Sequence, residues 1–502
     1  MWNDLLTTAL VGTERRTLDL DGLPEPFRDL TAQLDTTDAE KTLLSLAGAL
    51  TLHRRVGQTA PLDSTPLLDP CDLDDLPPCS PRAGLHLQQI LALGQYKIHL
   101  GEWLALAAYR GQRVGEEYLP LFFTYMNRSV PSKNFYAVLG KRGRWLAQQN
   151  ESWSDAVLPQ NDAEWETARF PARLEYVRRL RISDPAHGLA LIEAVWNQGK
   201  SMNRVQMLDL LDIGLNSGDE PFLESMLGDY STGFHHRAED YLAQLPTSAF
   251  SQRMSARAEK YVRIHRQKKE LVIDVTPPET WDESMGHDGI VENPSEKDTF
   301  DLHTYWLFCI VQHLSSAYWL GGDWTADELV QAASQHTDWR KMLIGALAKT
   351  VERERNDFLA SALLKADLDI QDQTLALSGA SSATREAFAL LVLDQAAKTG
   401  DAADAFNLLG RLHQFEQHWS RNFTLAFIHT VTQLLPRMSA PDLTRFTALL
   451  SDNVSRMSPA CTDELQALAG VENKLKQVWS RAVKQAVSTL EFRRDMHKEF
   501  SR

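Results

Sequence analysis

Residues 183–227 read SDPAHGLALIEAVWNQGKSMNRVQMLDLLDIGLNSGDEPFLESML, and this stretch decides the fold class. Asp184-Pro185 signals a helix start, because an aspartate side chain satisfies unpaired first-turn amides and proline is tolerated where no amide bond is required. Leu189, Ile192 and Val195 then share one helical face, and Val205, Leu208, Leu211 and Leu215 make a second apolar stripe. Asp219-Glu220-Pro221 repeats the start signal, Pro221 lying 36 residues after Pro185, with Phe222, Leu223, Met226 and Leu227 inward. Ala238, Tyr241, Leu242 and Leu245 supply the partner helix. Helix pairs recurring at this interval fall between the tetratricopeptide and HEAT repeat lengths. The expectation is an all-α chain built as an α-solenoid of HEAT-like helix pairs, with at most one short strand-like segment.

Upstream, Leu43, Leu44, Leu46, Ala47 and Leu50 follow the cap signal Thr37-Asp38 at helical spacing, so residues 1–59 read as N-terminal helices. Pro61, Pro66, Pro70, Pro77, Pro78 and Pro81, set among aspartates, exclude a regular helix and make 60–82 a linker. The helical-repeat region then spans 83–270, with a break between helices at Ser129-Val130-Pro131-Ser132. KELVIDVT at 269–276 alternates Leu271, Ile273 and Val275 before Pro277-Pro278 and reads as a strand. The acidic, proline-bearing stretch 271–299 reads as a linker and the main domain boundary. A C-terminal helical region covers 300–502. Its signals are a capping box at Thr325 and Glu328 and first-turn prolines at Pro441 and Pro459. Its last helix, with Val471, Leu475, Val478, Trp479, Ala482, Val483, Ala486, Val487 and Leu490 on one face, is expected to cap the array, carrying a basic tail of Arg493, Arg494 and Lys498.

The 502 residues carry 52 Lys+Arg against 67 Asp+Glu, a formal net charge of −15, which disfavours general attraction to nucleic acid or anionic lipid. Cys71, Cys79, Cys309 and Cys461 are too few for a disulfide framework, so a cytoplasmic location is expected. The opening MWNDLLTTALVGTERR has no basic leader or small-residue cleavage pattern, so no signal peptide is expected. Gln312 and His313 interrupt the most apolar run, Trp306 to Leu320, so no membrane span is expected. Without a sustained heptad seam, a monomer is the default.

No phosphate-binding loop, nucleophile elbow, HExxH helix, paired CxxC or calcium loop occurs, so no catalytic, metal or cofactor residue is assigned. Cys71 and Cys79 match no zinc spacing. The pairs His235-His236 and His413/His418 have no nearby cysteine to complete a ligand set and read as buried or capping residues. Asp367, Asp369 and Asp372 lack the glycine and distal glutamate of a calcium loop and read as a solvated loop or helix end. Two basic features remain as candidate anion- or partner-binding sites. Arg253, Arg257, Lys260 and Arg263 fall on one face of a helix, extended by Arg266, Lys268 and Lys269. The bland readings are a solvated face or a docking surface for the acidic segment that follows. Lys141-Arg142-Gly143-Arg144-Trp145 offers phosphate contacts beside an aromatic ring, or a helix that ends at its glycine. Nucleic-acid binding through these residues is the alternative to a non-enzymatic scaffold that binds proteins.

Several motifs together carry a resemblance: an opening tryptophan followed by Ala9-Leu10-Val11-Gly12-Thr13-Glu14-Arg15; Leu180-Arg181, Asp184-Pro185 and Trp196; Gly218-Asp219-Glu220 with Phe222-Leu223-Glu224; Leu245-Pro246 with Arg253-Met254; and Phe492-Arg493-Arg494-Asp495-Met496. The chain resembles an uncharacterised bacterial helical-repeat family whose genes often neighbour those of a MoxR-type AAA+ ATPase, a von Willebrand factor A-domain protein and a SWIM zinc-finger protein. The resemblance implies a structural role for these motifs and the ATPase or the A-domain protein as partner. It departs from the family at Asp229-Tyr230-Ser231-Thr232-Gly233, where the family turn is basic.

Overall fold

The computed structural model describes residues 2–21, 23, 25–56, 69–93, 96–126, 133–198, 201–228, 234–294, 300–401, 403–415, 417–471 and 476–501. The expected break at 129–132, the turn at 229–233, Leu475 and residues 60–68 of the first linker lie outside them. Helices hold 71% of the chain and the described residues contain a single two-stranded sheet, which makes the protein all-α. Its contacts divide it into two units, Met1–Pro70 and Cys71–Arg502.

The smaller unit has helices Trp2–Val11, Glu25–Thr31 and Ala39–Val56. Leu5, Leu23, Phe27, Leu43, Leu46 and Leu50 form its core. The Asp38 carboxylate accepts the Glu40 and Lys41 amides, the cap that the sequence signalled. Leu44, expected inward, is exposed.

The larger unit holds two hydrophobic cores. One gathers Ala83, Leu87, Trp103, Phe122 and Phe135 from the segment 79–158, and the other runs from Trp165 to Leu490. The terminal helix Lys476–Ser501 belongs to both: Trp479, Val483, Ala486, Val487 and Leu490 enter the second core, while Phe492, Met496 and Phe500 enter the first. It packs on Pro81–Leu93 and Leu100–Tyr109 as well as on Ala440–Asn453 and Thr462–Ala467. Val478, expected inward, is 55% exposed.

Between those ends, helices pack on their next and next-but-one neighbours. Phe170–Ser183 meets Pro185–Gln198 and Ser201–Leu208; Arg340–Glu354 meets Asp357–Leu364 and Ile370–Gly379; Ser382–Thr399 meets Ala403–Leu412 and Arg421–Leu434. The predicted starts hold where they are local. Asp184 accepts the His187 amide at 3.2 Å, Thr325 and Glu328 form the capping box, and Pro441 lies in the first turn of its helix. Asp219 departs from expectation. Asn216 caps the short 3-10 turn Ser217–Asp219, and the Asp219 carboxylate turns to Arg181 instead of capping Glu220–Met226.

The acidic stretch 271–299 does not separate two cores. Strand β2, Glu270–Val275, pairs antiparallel with β1, Val262–Gln267, in the register Val262 to Val275 and Ile264 to Ile273. A short helix Glu283–His287 follows, and Ile273, Met285 and Ile290 join the core that continues through Trp306 and beyond. The end of the first expected linker is likewise fixed: Cys79 is a core residue, its amide bonds to the Arg113 carbonyl at 2.8 Å, and Pro81 opens a helix. No described helix is long and apolar enough to cross a membrane.

Candidate functional site

The expected basic stripe divides into three parts. Arg253 and Arg257 lie on the helix Ala249–Tyr261 and converge on Asp288, whose side chain is fully buried. Arg253 reaches both Asp288 oxygens and, at 3.1 Å, Glu224; Arg257 binds Asp288 and the Ser284 carbonyl. Burial alone would raise the Asp288 acid, but hydrogen bonds from Arg253 and Arg257 hold it below the ordinary aspartate value. The acidic segment therefore docks on the stripe, the second of its bland readings. Lys260 stays exposed at the helix end. Arg263 leaves the helix because the chain has already entered β1, where it pairs across from Asp274; Lys268 and Lys269 form the hairpin turn. A single face carrying all seven cations does not exist, since the hairpin redirects the chain after Tyr261.

The second basic feature sits on the helix Gly140–Gln148, so Gly143 is inside the helix and does not end it. Asp74 accepts the amides of Lys141 and Arg142, capping the first turn. The Lys141 ammonium pairs with Asp75 at 3.0 Å and the Arg142 guanidinium with Glu116 at 3.2 Å. Arg144 and Trp145 are half-buried on the same helix. Electrostatically the patch is largely neutralised from within.

The motifs of the resemblance meet in space as arginine clasps. Arg181, wholly buried, donates to both Asp219 oxygens at 2.8 and 2.7 Å and to the carbonyls of Pro185, Ile213 and Gly214. It thus locks the end of one helix to the start signals of two others. Arg493, expected in a basic tail, is buried against Glu102 and donates to the Val454 and Met457 carbonyls. His99 and His497 also contact Glu102, and His418 lies 3.3 Å from Arg493. Although burial pushes the Glu102 acid up, hydrogen bonds from His497, His99 and Arg493 hold it far below the usual carboxylate range. A cavity of about 700 Å³ opens beside this cluster, lined by Leu106, His418, Trp419, Arg456, Arg494 and Lys498. Glu102 was missed because its partners Arg493 and His497 stand 391 and 395 positions away.

Among the described residues, His235, His236 and Glu239 bring three metal-type donor atoms within 4.8 Å of one another. The His-His-x-x-Glu spacing was visible; the glutamate one helical turn on was not weighed. Cys79 is buried and Cys71 partly so, both as free thiols. Asp369 caps the helix Ile370–Gly379 through the Asp372 amide, and Asp367 pairs with Arg340, which is the helix-end reading.

These features define an all-α protein of packed helices tied together by buried arginine–carboxylate clasps. The chain belongs to the Family of unknown function (DUF5691), which matches it over residues 4–500. Neither the curated proteins nor the solved structures give a match.

Proposed function

We propose that the chain is a non-enzymatic, cytoplasmic α-solenoid scaffold of HEAT-like helix pairs that brings protein partners together. The next-but-one helix packing supports the repeat reading. The observation that carries the binding role is an exposed apolar stripe on the first helix: Leu6 and Leu10, one turn apart, are 51% and 80% exposed, while Leu5 and Thr8 make its buried face. Covering a leucine with a partner contributes about 1.5–3 kcal/mol, so this stripe alone is worth tenfold or more in affinity. The partners are the MoxR-type ATPase or the von Willebrand A-domain protein that the family resemblance implies. Such a scaffold acts by raising effective concentration and needs no chemistry of its own. The basic stripe lends little to the nucleic-acid alternative, because Arg253 and Arg257 are engaged by Asp288 and Glu224.

The test is binding of the purified full-length chain to each purified candidate, followed by calorimetry in low and moderate salt. A complex that survives moderate salt and weakens at least about tenfold in the double variant Leu6→Asp, Leu10→Asp supports the reading. Absence of a complex with either protein, or one indifferent to both substitutions, removes it.

A further inference from the structure

Helix Phe234–Ala243 places His235 and Glu239 four residues apart on one face, with His236 three residues before the glutamate. His236 Nδ1 lies 3.0 Å from Glu239 Oε2. His313, just beyond the helix Leu302–Val311, brings its Nε2 to 3.9 Å from the same oxygen. The protonation of His313 follows from its other nitrogen. Nδ1 is 2.9 Å from the Cys309 carbonyl, which can only accept, so Nδ1 carries the hydrogen and Nε2 turns a lone pair toward Glu239. One carboxylate oxygen of Glu239 thus has imidazole nitrogens of both His236 and His313 turned toward it, a convergence of donor atoms that a cation can bridge.

The surroundings leave room for that carboxylate. Gly289 has φ +81°, and a Cβ there would stand 1.8 Å from Glu239 Oε1, so glycine is required on both counts. Arg253 and Arg257 are engaged by Asp288, and Arg353 by the Gln312 and Leu314 carbonyls.

We propose that His235, His236, Glu239 and His313 bind a divalent first-row transition-metal cation of the zinc class. Three imidazoles and one carboxylate are a donor set that such ions favour. Bonds of about 2.0–2.1 Å in a tetrahedron separate neighbouring donors by roughly 3.3 Å, which the 3.0 and 3.9 Å separations bracket. The Nδ1–carbonyl bond of His313 is the outer hydrogen bond that orients metal-binding imidazoles. His236, 71% exposed, is the side from which the ion enters.

The experiment titrates the metal-free full-length chain with Zn²⁺ by calorimetry and with Co²⁺ by visible spectroscopy. One equivalent bound with a Kd of about 1 µM or tighter, with the absorption of a four-coordinate Co²⁺ site, is expected. His236→Ala, at an exposed position that spares the fold, is expected to weaken Zn²⁺ binding about 10–100-fold or more, and Glu239→Gln likewise. Failure to saturate near one equivalent, or wild-type affinity in both variants, overturns the proposal and assigns any bound ion to another place.

Discussion

Arg493 and Glu102, 391 residues apart in the chain, form a two-point ion pair with both nitrogen–oxygen distances at 2.8 Å. Their pairing stands where the terminal helix passes from one hydrophobic core to the other. The same guanidinium reaches the Val454 and Met457 carbonyls, so it binds the end of the second core to the beginning of the first. The terminal helix is therefore a strut that joins the two cores of the larger unit. Both side chains have lost their water, so the attraction mostly offsets desolvation, and the pair's weight lies in what happens when one partner is removed.

That asymmetry is measurable by urea unfolding. Glu102→Gln leaves the Arg493 charge buried without its counter-ion and is expected to cost about 3 kcal/mol. The double variant Glu102→Leu, Arg493→Met removes both charges and should recover most of that loss. Additive losses in the double variant would show that the two residues are not coupled.

Acid should weaken the same contact. The Glu102 carboxyl is depressed in the folded protein relative to its ordinary 4.5. Its contribution is therefore fully present above that value and is lost progressively as the pH falls below it. The stability gap between wild type and Glu102→Gln is expected to be greatest near neutrality and to narrow below pH 4.5. A gap that widened in acid would contradict the assignment.

Local signals explain what could be read in advance. Asp184-Pro185 and Thr325 with Glu328 act within one turn, so their caps were legible. β1 was hidden because the cations of Arg253 to Arg263 keep helical spacing across the point where the helix ends. Only pairing with β2 shows that Val262 and Ile264 alternate inward. Asp288, Glu102 and Glu224 meet arginines 29 to 391 positions away, and such contacts leave no periodicity to detect. The candidate metal donors fall between these cases: His235 and Glu239 are one turn apart, but His313 joins them only in the folded chain.

The β1–β2 turn carries a stored cost. Lys268 has φ +62°, a left-handed backbone that a side chain with a Cβ adopts at about 1 kcal/mol. Lys268→Gly is expected to raise stability by roughly 0.5–1 kcal/mol, net of glycine's greater freedom when unfolded. Thermal unfolding of the two proteins decides it, a lowered Tm being the contrary result.

Asp372 makes the opposite pH argument to Glu102. It lies beside a cavity of about 510 Å³ with Asp369 and Lys341, and burial, assisted by the Asp369 charge, pushes it up to about 6 from 3.8. A raised acid holds its proton more tightly when folded, so its contribution is intact below 3.8 and is lost as the pH climbs through 6. Asp372→Asn removes the charge that the fold disfavours. The variant should match wild type near pH 4 and exceed it near pH 8 by about 1 kcal/mol, a figure reduced for the solvent that the cavity admits. Unfolding free energies at the two pH values test this, and a variant less stable than wild type at pH 8 would mean that the ionised carboxylate has a stabilising contact outweighing its burial.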